Sequence, residues 1–190
     1  EEPQAVGDTL MGRLGEDGDV NLSEFAGLSI DDLASINRII ITACGTAAYA
    51  GEVAKYAIEE LARVPVSVEL AHELRYRNPV IDENTLVVAI SQSGETMDTL
   101  MAIRYASERG AKILSICNTQ GATLARESDA TIYTHAGPEV AVASTKAFSA
   151  QITAGYLLAL FLAKALGKTS KLSDIGKELL TLPRKVKKTL

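Results

Sequence analysis

The fold is decided by the stretch Thr85-Leu-Val-Val-Ala-Ile-Ser-Gln-Ser-Gly-Glu-Thr96, in which an apolar run is followed directly by hydroxyl and amide side chains. A continuous run rich in β-branched residues is typical of a strand that helices cover on both faces. Beyond the polar residues, the apolar positions Leu100, Ile103 and Ala106 recur at helical spacing. The sequence therefore predicts a strand, a polar turn and a helix, in that order.

The same alternation extends in both directions from this stretch. Four more extended runs are predicted, at 38–43, 66–70, 112–117 and 130–134. Strands that alternate with helices are typical of a parallel sheet with helices on both sides. We therefore expect an α/β protein, a three-layer α/β/α sandwich with a five-stranded parallel sheet in the flavodoxin-like order 2-1-3-4-5.

Three segments are expected along the chain, namely a lead-in at 1–30, the principal domain at 31–167 and a C-terminal helical segment at 168–190. A long helix at about 144–166 closes the principal domain. The helix over 174–190 is predicted to be broken near Pro183, and its basic cluster is interpreted as a solvated face. Because the chain stops without a helix cap, we expect it to continue in a longer protein.

Composition excludes several classes of function. The 190 residues are 47% apolar and 23% charged with a net charge of -5, and the positive residues are scattered, so no nucleic-acid partner is expected. Cys44 and Cys117 lack a CxxC or His-rich neighbourhood, so no disulfide, metal site or cofactor is expected, and the cytoplasm is the predicted location. The most apolar stretch is about half of the roughly 20 residues of a membrane span, so no membrane association is expected.

Two polar turns are expected to share one pocket. Gly45-Thr46-Ala47 follows the first strand and residues 91–96 follow the third, and the order 2-1-3-4-5 brings them together where ligands bind in open parallel sheets. The second turn offers hydroxyls, an amide and free N–H groups at a helix start, which suit a phosphate. It has no Lys, and the nucleotide-binding pattern GxxxxGK followed by Ser or Thr is absent, so a sugar phosphate suits it better than a triphosphate.

On residue types alone, a simpler interpretation of the second turn has equal weight. Ser93 or Thr96 then only caps the following helix, and the remaining polar residues form an ordinary turn.

The other polar candidates are weaker. Glu95 and Glu139 are the carboxylates nearest the predicted pocket, and loop or capping roles are favoured for both. His72 and His135 are given no role. Lys146 lies at a helix start, where its charge is unfavourable, so it is expected to pair with an acidic residue or to face a partner subunit.

The combined motifs carry a family resemblance. Ser91-x-Ser93-Gly94-x-Thr96 after an apolar strand resembles the signature of the SIS (sugar isomerase) family. Four further motifs occur in the order seen in the glucosamine-6-phosphate synthase family, namely Cys44-Gly45-Thr46, Glu73-Leu-Arg-Tyr-Arg77, Ile116-Cys-Asn118 and Glu139-Val-Ala-Val-Ala-Ser-Thr-Lys-Ala-Phe148. The resemblance runs from Gln4-Ala5-Val6 to at least Leu166 and thus covers nearly the whole chain.

The resemblance implies a set of ligand contacts. In that family, the residues that match Ser91, Gln92, Ser93 and Thr96 hold the phosphate of fructose 6-phosphate or glucosamine 6-phosphate. Thr46 matches a residue that contacts the sugar, and Val142 matches one whose backbone meets the sugar hydroxyls. The family often has a hydroxyl residue where this chain has Ala47, so only a backbone N–H is expected to contribute there.

The resemblance also implies that catalysis needs more than this segment. The family enzyme is a homodimer with a glutaminase domain and a second SIS half, which supplies the acid–base Glu, a Lys and a ring-opening His. None of these can be matched to this sequence, so no catalytic residue is assigned and the chain is expected to bind a sugar phosphate without completing the reaction.

Two other functions are considered. One is a stand-alone SIS isomerase of a pentose or heptose phosphate, against which the segment Glu139 to Phe148 argues. The other is a sugar-sensing module of a transcription regulator, which would require a helix-turn-helix domain, and the sequence shows no sign of one.

Overall fold

The computed structural model describes residues 1–21, 27–139, 144–168 and 171–190. The strands are β1 Arg38–Ala43, β2 Val66–Leu70, β3 Thr85–Ser91, β4 Lys112–Cys117 and β5 Ala130–Tyr133. The helices are α1 Glu2–Leu10, α2 Ile30–Ser35, α3 Thr46–Leu61, α4 Ala71–Arg77, α5 Met97–Ser107, α6 Thr123–Arg126, α7 Lys146–Ala165 and α8 Leu172–Thr189.

The five strands form one parallel sheet in the order β2-β1-β3-β4-β5, which confirms the predicted fold. The order reverses between β1 and β3, where Ala43 pairs with Ile90 at the carboxyl ends of the two strands. The chain segments that follow these two strands therefore leave the sheet side by side.

The residues of β3 divide between two apolar layers. Leu86, Val88 and Ile90 are buried in the larger core with residues of α3 and α7. Val87 and Ala89 face the opposite side and pack with residues of α4 and α5. This double burial explains why the strand is a continuous apolar run rather than an alternating one.

Helix α7 is long and apolar enough to cross a membrane by length and composition. However, 67% of an 18-residue stretch of this helix is buried inside the molecule. It packs along α3 and also contacts α1. At the crossing with α3, a Cβ added to Gly155 would lie 2.7 Å from the Cβ of Ala54. The small residues at this point thus allow the two helices to approach closely, and α7 is packed as a core helix.

Helix α8 corrects one prediction, because it runs without interruption through Pro183. Its apolar residues Leu179 and Leu182 pack into the larger core, and the ring of Pro183 lies beside Gly7 of α1. Burial of this face offsets the backbone hydrogen bond that the proline removes. The basic residues are exposed, as expected of a solvated face, and they are Arg184, Lys185, Lys187 and Lys188.

Candidate functional site

A cavity of about 330 Å³ opens between the carboxyl ends of β1 and β3. Most of the residues that line it have hydroxyl or amide side chains, and the full set is Cys44, Gly45, Thr46, Ala47, Ile90, Ser91, Gln92, Ser93, Thr96, Thr99, Ser144 and Gln151. The structure therefore brings together six of the predicted site residues, which are Thr46, Ala47, Ser91, Gln92, Ser93 and Thr96. The seventh, Val142, lies outside the described residues.

The turn 91–96 is held in shape by its own hydroxyl groups. The buried Oγ of Ser91 accepts a hydrogen bond from the N–H of Gly94 at 3.0 Å and lies 3.5 Å from Oγ1 of Thr96. The Oγ of Ser93 accepts from the N–H of Glu95 at 3.2 Å. These short local bonds fix the hydroxyls at the wall of the cavity before any ligand arrives.

Two helices begin at this cavity without a side-chain cap. No side chain in the described part of the chain accepts a hydrogen bond from the first turn of α3, which starts at Thr46, or of α5, which starts at Met97. Neither Ser93 nor Thr96 caps α5 with its side chain, so the capping part of the simpler interpretation is wrong. Uncapped N–H groups at a helix start attract an anion, and the cavity lining contains no Lys or Arg among the described residues. An anion here would be held by N–H groups, hydroxyls and helix dipoles.

Gly94 is needed at its position for two physical reasons. Its φ is +68°, and an added Cβ would lie 2.5 Å from the Cβ of Ala122 and 2.7 Å from the Sγ of Cys117. The glycine thus lets the turn pack against the end of β4. Burial raises the pKa of the Cys117 thiol at this contact.

Sequence reasoning missed three polar residues that line the cavity, namely Thr99, Ser144 and Gln151. Thr99 is buried in α5, and its Oγ1 lies 3.9 Å from the Sγ of Cys44. Gln151 is buried in α7, where it is the one amide side chain of the helix. A single amide in this helix could have indicated a polar site in the sequence. The direction in which its side chain points depends on the fold.

The two nearby carboxylates cap helices, as favoured from the sequence. Glu95 is exposed and accepts the N–H of Thr123 at 2.8 Å at the start of α6, and this bond lowers the pKa of its carboxyl. Oε2 of Glu139 accepts the N–H groups of Thr145 at 3.3 Å and Ala147 at 3.2 Å at the start of α7.

The remaining charged candidates lie outside the cavity. Nζ of Lys146 bonds Oε2 of Glu1 at 2.7 Å, which lowers the pKa of Glu1 and provides the acidic partner expected for this lysine. His72 is half exposed, 3.9 Å from Oε1 of Glu73. Across the described ranges, no group of three or more His, Cys, Asp or Glu side chains could hold a metal ion.

The sheet order and the polar cavity at the point where that order reverses are those of a ligand-binding α/β domain. The family model of the SIS domain matches residues 32–161. The chain belongs to the SIS domain family. Among its relatives is the glutamine–fructose-6-phosphate aminotransferase (isomerizing) of Corynebacterium glutamicum, which is 59% identical over 194 residues, covering 100% of this chain and 31% of that protein. The resemblance drawn from the motifs is thereby confirmed, and the chain spans about a third of the length of the curated relatives it matches.

Solved structures give a consistent result. The C-terminal domain of glucosamine-fructose-6-phosphate aminotransferase from Francisella tularensis is 39% identical with a TM-score of 0.90, covering 97% of this chain and 52% of that one. A protein from Listeria monocytogenes that is assigned as a sugar-phosphate isomerase has a TM-score of 0.69 at 15% identity. The match covers 92% of this chain and 90% of that one. At that identity the second similarity concerns the fold alone.

Proposed function

We propose that the cavity between β1 and β3 binds fructose 6-phosphate or glucosamine 6-phosphate, with the phosphate held by the turn 91–96. One observation carries the proposal, namely that the two polar segments meet in a single cavity where α3 and α5 begin without side-chain caps. The side chains of Ser91, Gln92, Ser93 and Thr96 bond the phosphate, Thr46 contacts the sugar, and Ala47 contributes its backbone N–H.

We further propose that the chain is the first sugar-phosphate-binding half of the isomerase part of a glutamine–fructose-6-phosphate aminotransferase. The names of its relatives and the 31% of their length that it covers support this role. In this role the chain contributes to amino-sugar synthesis in the cytoplasm as part of a homodimer. The two cysteines, which are both free, are compatible with a reducing compartment.

The proposed function is tested by thermal unfolding of this chain with fructose 6-phosphate, and with inorganic phosphate or fructose as comparison ligands. A ligand that binds only the folded state raises the unfolding temperature by mass action. Fructose 6-phosphate at millimolar concentration is expected to raise it more than either comparison ligand. Absence of any shift with fructose 6-phosphate would contradict the proposal.

Removal of the Ser93 hydroxyl tests whether the turn 91–96 binds the phosphate. Ser93→Ala is expected to weaken fructose 6-phosphate binding about tenfold or more, because a hydrogen bond to a charged group is worth about 1.5–3 kcal/mol. The matched control is Ser107→Ala, at the exposed end of α5 and outside the cavity, which should leave the affinity unchanged. Equal affinity of the Ser93→Ala variant and the unchanged chain, measured by calorimetry, would show that the turn does not bind the phosphate.

A further inference from the structure

One buried amide side chain belongs to the cavity lining, and its oxygen has no partner among the described residues. Gln151 is 3% exposed, and its Oε1 accepts no hydrogen bond from any residue that the structure describes. Thr153 on the same helix provides a contrast, since it is 1% exposed and its Oγ1 donates to the carbonyl of Ser149 at 2.8 Å. A buried polar residue of α7 can therefore find its hydrogen-bond partner within the helix, whereas Oε1 of Gln151 does not.

A buried acceptor without a partner lowers the stability of a folded protein. Buried polar groups in native proteins almost always have hydrogen-bond partners, and an apolar side chain of the same length would fill the space at lower cost. The side chain of Gln151 instead belongs to the lining of a cavity that is rich in hydroxyls. The arrangement is that of a side chain whose partner is a bound molecule.

The chemistry of the unpaired atom indicates which part of the ligand it meets. Oε1 is an acceptor, and a phosphate monoester that is a dianion offers only acceptor oxygens, whereas a sugar hydroxyl can donate. The donors suited to the phosphate lie elsewhere, in the turn 91–96 and at the starts of α3 and α5.

We propose that Gln151 binds a hydroxyl group of the sugar and thereby orients the sugar relative to the phosphate. This inference rests on the proposed function, since it needs a phosphosugar in the cavity. It adds to the site a binding residue from α7, which packs along α3 and approaches the cavity from the helix layer rather than from the strand ends.

The test compares two ligands in two variants by calorimetry. Gln151→Met keeps the length of the side chain and removes its amide, and it is expected to weaken fructose 6-phosphate binding about five- to tenfold while inorganic phosphate binds as before. Ser93→Ala should weaken both ligands. The control Thr153→Val removes a buried hydroxyl that is not part of the lining of this cavity, so both affinities should be unchanged.

A second measurement separates binding from a purely structural role. Without ligand, Gln151→Met should unfold at a higher temperature than the unchanged chain, because the unpaired acceptor is gone. Unchanged fructose 6-phosphate affinity in Gln151→Met, alongside weaker binding in Ser93→Ala, would overturn the inference and leave the proposed function intact. A lower unfolding temperature with both ligands weakened equally would also overturn it. Absence of fructose 6-phosphate binding in the unchanged chain would overturn the proposed function itself.

Discussion

At the scale of single residues, the turn that carries the proposed phosphate contacts depends on Gly94. Its positive φ costs any other residue about 1–3 kcal/mol, and a Cβ there would overlap Ala122 and Cys117. Gly94→Ala is therefore expected to lower the free energy of unfolding by roughly 2–4 kcal/mol, measured by urea denaturation.

Gly121 provides the matched control for this substitution. Its φ is +70°, nearly the same as at Gly94, but nothing lies within 4 Å of an added Cβ. Gly121→Ala should thus lower the free energy of unfolding only by the cost of the positive φ, about 1 kcal/mol. If the two substitutions were equally destabilising, the close packing of Gly94 against the end of β4 would contribute nothing.

Most of the candidate site could be predicted at this scale, and two of the three exceptions, Thr99 and Gln151, have a common cause. Thr46 and the turn residues follow strands, and in a parallel sheet the strand order alone determines which strand ends are neighbours. Thr99 and Gln151 lie within helices, where the inward direction depends on how each helix is rotated against the sheet. Sequence spacing does not fix that rotation to the accuracy of one side chain.

At the scale of elements, the crossing of α3 and α7 shapes the cavity, because α3 starts at Thr46 and α7 carries Gln151. Gly155→Ala should destabilise the protein by roughly 1 kcal/mol. The gain in helix propensity, about 1 kcal/mol, is smaller than the cost of overpacking against Ala54, about 1–3 kcal/mol. The substitution should also weaken fructose 6-phosphate binding, because the two helices must move apart.

The control for the crossing is Gly7→Ala in α1. There the nearest atom to an added Cβ is Cγ of Pro183 at 3.6 Å, which is an ordinary contact. The same change should therefore stabilise the protein by up to about 1 kcal/mol through helix propensity alone. A stabilising Gly155→Ala, with unfolding followed by circular dichroism, would mean that the crossing has room that the structure does not show.

The strands were predictable where burial on both faces of the sheet requires a continuous apolar run in the sequence. Strands β1, β3 and β4 are of this kind, and they occupy the predicted positions. Helix α2 was not predicted, because six residues are too few for a helical period, although the capping box of Ser29 and Asp32 marks its start. The uninterrupted helix through Pro183 depends on packing against α1, which local sequence does not reveal.

At the scale of the whole molecule, the cavity is equipped for binding rather than for proton transfer. In the described part of the chain its lining has hydroxyls, amides and a thiol, and no carboxylate, imidazole or amine. Movement of a proton between C1 and C2 of a sugar phosphate needs a positioned general base, which is worth about 10²–10⁴ in rate. These 190 residues on their own are therefore expected to bind fructose 6-phosphate without exchanging its C1 hydrogens with solvent.

This expectation separates the aminotransferase fragment from a stand-alone isomerase. Fructose 6-phosphate incubated with the chain in D₂O should keep its C1 proton signals in NMR spectra, with exchange at least about a hundredfold slower than with a full-length relative such as the Corynebacterium glutamicum enzyme. Thermal shift on the same preparation verifies that the sugar phosphate is bound. Rapid loss of the C1 signals would instead mean that the chain itself holds a base within reach of the sugar, and it would favour the stand-alone isomerase.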